Sequence, residues 1–242
     1  IRINEDGSVR LIYQGTSATS TGSAATIGLS EFNEEYNDNA YVGYMYGEVG
    51  SNSYSATHAN TNDSTIKGII DAWYEDNLLD NYSTYIADSG FCGDRSLSSG
   101  TGIGTTATDY GAYNRLVNEY QPQFACPQSN DLYTTSSSPK GNKALDYPIG
   151  LITADEVAYA GGVYSVPNSS YYLYTGANYW TMSPRRFLGS FAFEWSVRSD
   201  GSLTGFGVHG SDGARPVINL KSGIEITGGD GTIGNEYIIK VS

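Results

Sequence analysis

Two histidines, His58 and His209, are the residues on which hydrolytic chemistry of this chain would depend. His58 lies in the polar stretch ATHANTND, and His209 lies on a strand flanked by turns. A serine hydrolase needs a nucleophile on a sharp Gly-x-Ser-x-Gly turn within reach of its histidine. Neither histidine has such a turn beside it, so we expect no catalytic residues and interpret both histidines as surface residues.

Three Asp-Gly turns, beginning at Asp6, Asp200 and Asp230, are the candidates for binding a hard cation. Calcium-dependent sugar binding uses Glu-Pro-Asn or Gln-Pro-Asp and a later Trp-Asn-Asp-type triplet, because calcium needs converging carboxylate and amide oxygens. Those triplets are absent from the sequence. The Asp-Gly pairs therefore predict hairpin turns and leave open only a structural cation in one loop, and we expect no metal site and no cofactor.

The two cysteines, Cys92 and Cys126, lie in loop-like contexts and lack the paired spacing of a zinc site. We predict a disulfide between them, which would stabilise the fold by about 3–4 kcal/mol through the entropy of the unfolded chain. The alternative is two separate buried thiols.

The composition of the segment 174–220 favours a role in binding another molecule. The segment contains four of the eight arginines and four of the seven phenylalanines of an otherwise acidic chain. Arginine and aromatic side chains are typical of binding surfaces, because they provide large contact areas and directional contacts. The alternative is that the aromatic residues form the core of the last sheet, which we expect for Trp195 and Val197 but not for Arg185, Arg186 and His209.

The composition of the chain limits the classes of binding partner that we expect. The chain has 242 residues, a net charge of −13 and 21 tyrosines, and no linker divides it, so we expect one domain, 1–242. Nucleic acid is not expected as a partner, because its binding requires a basic face. The composition favours an extracellular protein. The chain starts within a strand-like stretch, so we interpret it as a fragment or mature form, with any membrane anchor lying before Ile1.

Two segments have helical signals. The stretch 62–79 can be capped by Asp63 or Ser64. It places Ile66, Ile69, Ile70, Trp73 and Leu78 near one stripe at helical spacing. Thr153 and Glu156 form a Thr-x-x-Glu capping box with Ile152 before it, and Gly161-Gly162 predicts the end of that helix. A shorter helix is expected around 113–120.

Strand signals lie mainly at the two ends of the chain. We predict a hairpin over 1–13, a strand over 37–50 that is at most half buried, closing antiparallel strands over 174–220 and a terminal hairpin around Gly228-Gly229-Asp230-Gly231. The loop-rich stretch 81–143 is predicted to be a long insertion held by the disulfide. The predicted class is α+β, with two main helices and an antiparallel sheet.

Several motifs of the second half, taken in order, resemble the C-type-lectin-like fold in its formylglycine-generating-enzyme branch. The matching residues are Leu151, Thr153 and Glu156 in the helix motif, Tyr179, Trp180 and Ser183 in a strand, and Gly213, Arg215, Pro216 and Val217 at the end. Ile152 stands where that family usually has proline. The enzymes of this branch use reactive cysteines near the C-terminus, and no cysteine follows Cys126, so the resemblance extends to the fold and not to the activity.

The first and last segments also resemble pilin-like surface proteins of Gram-positive gut bacteria and their phages, and variable proteins of diversity-generating retroelements. That resemblance implies a retroelement-diversified C-terminal segment, in which a fixed frame supports a ligand-binding surface. The implied frame is Trp180, Trp195, Val197, Arg215, Pro216 and Ile218. The implied ligand-binding residues are Arg185, Arg186, Phe187, Phe191, Phe193, Thr204, Phe206, His209 and Ser211.

These observations predict a non-enzymatic ligand-binding protein on a cell surface or phage particle, with a receptor-like or adhesin-like role. The expected partner is a protein or glycan on another cell or host surface. The alternative is a pilin-like subunit whose role is self-assembly into a surface filament.

Overall fold

The computed structural model describes residues 1–17, 19–230, 232 and 234–240. It contains short helices and several β-sheets, which confirms the α+β class at that coarse level. Gly231, which belongs to the predicted Asp230-Gly231 turn, lies outside the described residues. Within the described ranges, no helix has the length and apolar character needed to cross a membrane.

The strands of the described chain are mostly short. They are β1 (Arg2–Ile3), β2 (Val9–Ile12), β3 (Leu29–Glu31), β4 (Met45–Tyr46), β5 (Asn62–Asp63), β6 (Phe91–Cys92), β7 (Leu97–Ser99), β8 (Thr108–Tyr110), β9 (Leu132–Tyr133), β10 (Ile149–Gly150), β11 (Tyr179–Leu188), β12 (Phe191–Val197), β13 (Leu203–Gly207), β14 (Ser211–Gly213), β15 (Val217–Leu220), β16 (Ile226–Gly228) and β17 (Ile238–Ile239).

The α-helices are α1 (Tyr54–Thr57), α2 (Thr65–Tyr74), α3 (Asp80–Tyr82), α4 (Gly111–Tyr113) and α5 (Ala154–Ala160). Two of them continue as π-helical segments, α2 over Glu75–Leu79 and α4 over Asn114–Glu119. The helices predicted within 62–79 and around 113–120 are therefore present. Of the predicted apolar stripe on the first, Ile66 and Ile70 are fully buried, whereas Ile69 is exposed.

The main sheet has the strand order β13-β12-β11-β14-β3. On the same side of β11, β14 pairs at Tyr179 and β8 pairs further along, at Arg186 and Phe187. The hairpin between β11 and β12 closes through Gly189 and Ser190, with Leu188 opposite Phe191. Gly189 has a φ of +69°, which suits glycine in a two-residue turn. The predicted closing strands are confirmed, except that β14 runs parallel to β11.

A second sheet, in the order β1-β2-β15-β10, joins the beginning of the chain to its last third. The predicted N-terminal hairpin is β1 with β2, and Gly7 in its turn has a φ of +80°. A C-terminal hairpin is present, formed by β16 with β17. Asp230 N donates to Asn235 O, so the chain reverses after Asp230 and not across the predicted turn 228–231.

The capping box of α5 is confirmed by both of its hydrogen bonds. Glu156 N donates to Thr153 Oγ1 over 3.1 Å, and Thr153 N donates to Glu156 Oε2 over 2.9 Å. The helix ends at Gly161, whose φ is +122°. The Glu156 carboxylate also pairs with Arg10 and Arg2, so α5 is fixed to the N-terminal hairpin.

The prediction of a half-buried strand over 37–50 is wrong. Asn39–Tyr41 is a 3-10 helix, only Met45–Tyr46 is a strand, and the residues from 38 to 45 are buried. The buried Asn39 amide is accommodated because its Nδ2 donates to the carbonyls of Ile103, Gly104 and Thr106.

The stretch 81–143 contains the predicted disulfide between Cys92 and Cys126, whose Cα atoms lie 5.6 Å apart. It is more regular than predicted. It contributes β7 and β8 to the main sheet and pairs β6 with β9. As a result, side chains of this stretch lie next to the segment that carries the predicted binding residues.

Candidate ligand-binding surface

A β-bulge in β11 places two arginines on the same side of the main sheet. Pro184 pairs with Glu194 and Arg186 pairs with Phe193, so Arg185 is an extra residue between them. Neighbouring residues of a regular strand point to opposite faces, and a bulge removes that alternation. Accordingly, the guanidinium groups of Arg185 and Arg186 lie 5.1 Å and 4.6 Å from the ring centroid of Tyr113.

The side chain of Arg185 extends across the face of the sheet and is surrounded by aromatic rings. Its Cζ lies 5.1 Å from the Trp195 ring centroid and 5.6 Å from that of Tyr164, in addition to Tyr113. Only 8% of the residue is exposed. The expectation that Arg185 avoids the interior is therefore wrong, because cation–π contacts with three rings replace part of its hydration.

Gly205 is needed for this arrangement. A Cβ atom at position 205 would lie 2.4 Å from Cδ of Arg185, which is closer than real contacts allow. The long arginine side chain therefore reaches the edge strand β13 only because residue 205 has no side chain.

The surrounding rings leave hydrogen-bond donors without acceptors. Arg185 Nε and Trp195 Nε1 are both buried and have no hydrogen-bond partner within the described ranges, and Nη2 of Arg185 is 3.5 Å from the Tyr164 hydroxyl. Among the described residues no carboxylate forms an ion pair with Arg185. Burial lowers the pKa of this guanidinium, which the nearby tyrosines oppose in part. Arg186, in contrast, is half-buried and pairs with Asp109 at 2.8 Å.

A second group of rings lies at the other end of the same face. Phe191 stacks on Tyr36 at 5.2 Å with an interplanar angle of 8°, and the His209 ring lies 4.4 Å from Tyr36 and 5.5 Å from Phe191. Phe191 and His209 are exposed. This part of the chain presents ring faces and one imidazole to solvent.

Two partly exposed glycines lie between these groups. Gly205 is opposite Trp195 and Gly207 is opposite Phe193. A Cβ atom at Gly207 would be 3.0 Å from the His209 ring. We call the whole surface the aromatic–arginine face. It comprises Tyr36, Tyr113, Tyr164, Arg185, Arg186, Phe191, Phe193 and His209 around Gly205 and Gly207.

The structure does not bring all nine predicted residues together, and this part of the prediction needs correction. Phe187 is fully buried, so it contributes no exposed surface. Thr204 and Phe206 alternate with Gly205 along β13 and point to the reverse face, where Phe206 packs on Trp180 at 5.5 Å. Ser211 is exposed but lies in β14, on the far side of β11.

Three residues of the aromatic–arginine face, Tyr36, Tyr113 and Tyr164, were not predicted. They come from three separate segments, two of which precede β11 by 60 residues or more in the chain. Nothing in their local sequence distinguishes them from the other tyrosines. Only the tertiary structure places them beside the two arginines.

The prediction that His58 is a surface residue is wrong, because His58 is almost completely buried. Its ring centroid lies 4.6 Å from that of Tyr54, with the two rings tilted at 53°, and its Nε2 is 2.9 Å from the Gly102 carbonyl oxygen. Burial, with a smaller effect from Arg95, lowers its pKa to about 3. His58 is therefore neutral at physiological pH and packs as part of the interior.

The one acidic cluster with metal-like spacing among the described residues is Asp63, Asp71 and Asp146. The ammonium group of Lys67 already occupies its centre, at 3.1, 2.6 and 3.1 Å from the three carboxylates. The carboxylates of the Asp-Gly turns are also engaged in hydrogen bonds within the protein. Asp6, Asp200 and Asp230 each accept bonds from the backbone and hydroxyl of the residue two positions later.

A cleft of about 750 Å³ lies between the disulfide, the first turn of α5 and the N-terminal hairpin. Its central charges are neutralised within the protein. Arg10 and Arg2 pair with Glu156, and Arg115 pairs with Asp94 and Asp155. The central arginines of the cleft therefore have carboxylate partners, whereas Arg185 has none among the described residues.

No known protein family, curated protein or solved structure matches this chain.

Proposed function

We propose that this chain is a non-enzymatic binding protein that recognises a protein or glycan through the aromatic–arginine face. One observation carries the proposal. Two arginines and several aromatic rings, drawn from four separate parts of the chain, meet on one partly exposed side of a sheet. Rigid side chains of these types lose little conformational entropy when a partner binds.

The proposed location is outside the cell, on a cell surface or phage particle. The disulfide between Cys92 and Cys126 supports this location, because disulfides persist in oxidising compartments. The resemblance to the C-type-lectin-like fold and to retroelement-diversified proteins supports the same proposal. A reverse-transcriptase gene and a near-identical copy of the last coding segment beside this gene would support diversification, and their absence would count against it.

The binding function is tested by screening the chain against a glycan array and a peptide display library. Each binder obtained is measured again with the double variant Tyr36→Ala/Phe191→Ala. We expect affinity to fall at least about tenfold, because stacked rings at the centre of an interface contribute most of the binding energy.

Tyr237→Ala is the matched control. Tyr237 is also an exposed aromatic residue, at 58%, but it lies near the C-terminal hairpin and away from the face. Circular dichroism and the thermal midpoint establish that each variant is folded. Binders whose affinity is unchanged by the double variant but reduced by Tyr237→Ala would contradict the proposal.

A further inference from the structure

Strand β13 is the last strand of the main sheet, and β12 is its one strand partner in the described part of the chain. The ladder between them is regular from Leu203 to Gly207. It is flanked by the bonds Arg198 N to Ser202 O, at 2.9 Å, and Val208 N to Ala192 O, at 3.1 Å. Hydrogen-bonded and non-hydrogen-bonded pairs alternate in an antiparallel ladder. Leu203, Gly205 and Gly207 therefore direct their backbone groups away from β12.

Part of this outer edge is already occupied. Leu203 N donates to Val163 O over 3.1 Å, and Ser165 N donates to Leu203 O over 2.9 Å. The Gly207 carbonyl accepts from Gly210 N. Among the described residues, no backbone group pairs with the outward N–H and C=O of Gly205 or with the N–H of Gly207.

These free groups form a short row of donor, acceptor and donor along an exposed strand edge. Such a row is a template for an additional strand. The two glycines are partly exposed and have no side chains that would obstruct a neighbouring chain. The segment Val163–Ser165 pairs with Leu203 at one end of this edge, so an added strand would continue an existing pairing.

Arg185 indicates the chemistry of the occupant. Its side chain lies over Gly205 and has no carboxylate partner among the described residues, and its Nε is unpaired there, as is Trp195 Nε1. In a chain of net charge −13, such an arginine next to a strand edge offers a position for an external carboxylate.

We propose that the free edge of β13 binds an extended acidic segment of a partner protein, which adds to the sheet as a strand and places a carboxylate against Arg185. This inference deepens the proposed function and rests on it. Alternate residues of a strand share a face, so a residue two positions from the carboxylate faces the rings of Tyr36, Phe191 and His209. The recognised segment therefore carries an acidic and an aromatic residue separated by one position.

A second copy of this chain fits the edge less well. If two β13 strands paired antiparallel around Gly205, their two unpaired Arg185 side chains would lie next to each other. Like charges at directly opposite positions destabilise a sheet. The observations therefore favour a partner of opposite charge over self-pairing.

The test uses short labelled peptides of threonine and valine that carry Glu and Phe separated by one residue, in both orders, and matched peptides with Gln in place of Glu. Binding to the wild-type chain is measured by fluorescence anisotropy. We expect at least one Glu peptide to bind about tenfold more tightly than its Gln counterpart, because the bond to Arg185 is charge-assisted. Arg185→Gln should remove that difference.

The strand addition itself is tested with Gly207→Pro and its matched control Gly207→Ala. Both variants add a Cβ atom, but only proline removes the outward N–H. A Cβ atom at position 207 would lie 3.0 Å from the His209 ring in both variants, so the two are compared with each other. We expect Gly207→Pro to bind the Glu peptide at least about tenfold more weakly than Gly207→Ala does. Equal losses in both variants would overturn strand addition.

Amide hydrogen exchange on the wild-type chain gives a result that does not depend on a variant folding. The bound Glu peptide should slow exchange at Gly205 and Gly207, and unchanged exchange there would overturn the proposal. Concentration-dependent dimerisation that Gly207→Pro abolishes would overturn it in favour of a second copy. If no peptide binds while other binders still depend on Tyr36 and Phe191, the edge proposal fails and the proposed function stands.

Discussion

Glu194 is an unpaired carboxyl group inside the main sheet. It is fully buried, and neither carboxyl oxygen has a hydrogen-bond partner of good geometry in the part of the chain that the structure describes. Burial raises its pKa well above the ordinary value, and the Gly43 backbone and Arg95 oppose this rise only in part. The protonated form is therefore the one that the fold accommodates.

This burial predicts a pH dependence. A carboxyl group whose folded pKa is raised stabilises the fold fully below its unfolded pKa, and that stability is lost as the pH rises toward the folded pKa. For one such group the loss is at most about 1.4 kcal/mol per pH unit. We expect Glu194→Gln to reduce the decline in free energy of unfolding between pH 5 and pH 9, measured by urea denaturation. An identical slope in the variant and wild type would contradict this assignment.

Glu156 has the opposite electrostatics. Burial alone would raise its pKa, but Arg10, at 2.7 Å, and Arg2, at 2.8 Å, outweigh it and lower the pKa. The stability that this carboxylate provides is present above its unfolded pKa and is lost as the pH falls through the folded value.

Replacing Glu156 leaves a buried Arg10 without its partner. We expect Glu156→Ala to lower the free energy of unfolding by about 3–5 kcal/mol, since an uncompensated buried charge is costly. Glu225→Gln, which removes an exposed ion pair with Lys240, is the control and should change it by less than about 1 kcal/mol. Equal effects of the two substitutions would show that the Arg10–Glu156 pair is not a buried pair in solution.

At the scale of elements, the disulfide connects two parts of the stretch 81–143, which packs next to the aromatic–arginine face. Cys92 and Cys126 are 34 positions apart, and β8, between them, pairs with β11 next to Arg186. A cross-link of this span restricts the unfolded chain and holds β8 near the sheet.

The double variant Cys92→Ser/Cys126→Ser should lower the free energy of unfolding by about 3–4 kcal/mol. The measurement is urea denaturation, and reduction of the wild-type chain with a thiol should give a loss of similar size. A stability that is insensitive to both treatments would contradict a structural role for the disulfide.

Local signals predicted the elements that depend on neighbouring residues. The capping box of Thr153 and Glu156, the stop at Gly161 and the cap at Ser64 all act within one turn of helix, so the sequence was sufficient to place α2 and α5. The stretch 37–50 was mispredicted because burial of Asn39 depends on carbonyls more than 60 positions away in the chain. No local pattern contains that information.

At the scale of the whole molecule, the sequence predicted which segment contributes most residues of the aromatic–arginine face but not the geometry of that face. Arg185, Arg186, Phe191, Phe193 and His209 lie on one face as expected of a shared surface, whereas Phe187 is in the core. The difference arises at the β-bulge, which changes the alternation of β11 and cannot be read from residue types. Tyr36, Tyr113 and Tyr164 depend on long-range contacts.

The chain is acidic overall, with a net charge of −13, and the aromatic–arginine face differs from the rest of it by an unpaired arginine. Most arginines are paired internally, such as Arg95 with Asp131 and Arg198 with Asp212. Arg185 has no such partner among the described residues, so a partner that brings a negative charge gains an attraction there while the rest of the surface repels acidic molecules.

The central claim, that partners bind at the aromatic–arginine face, is tested most directly by amide hydrogen exchange of the wild-type chain with and without a binder selected from the glycan or peptide screens. We predict that protection increases in β13, in the hairpin between β11 and β12 and around Tyr36. Protection confined to the cleft beside Cys92–Cys126, with no change in these three segments, would contradict the claim.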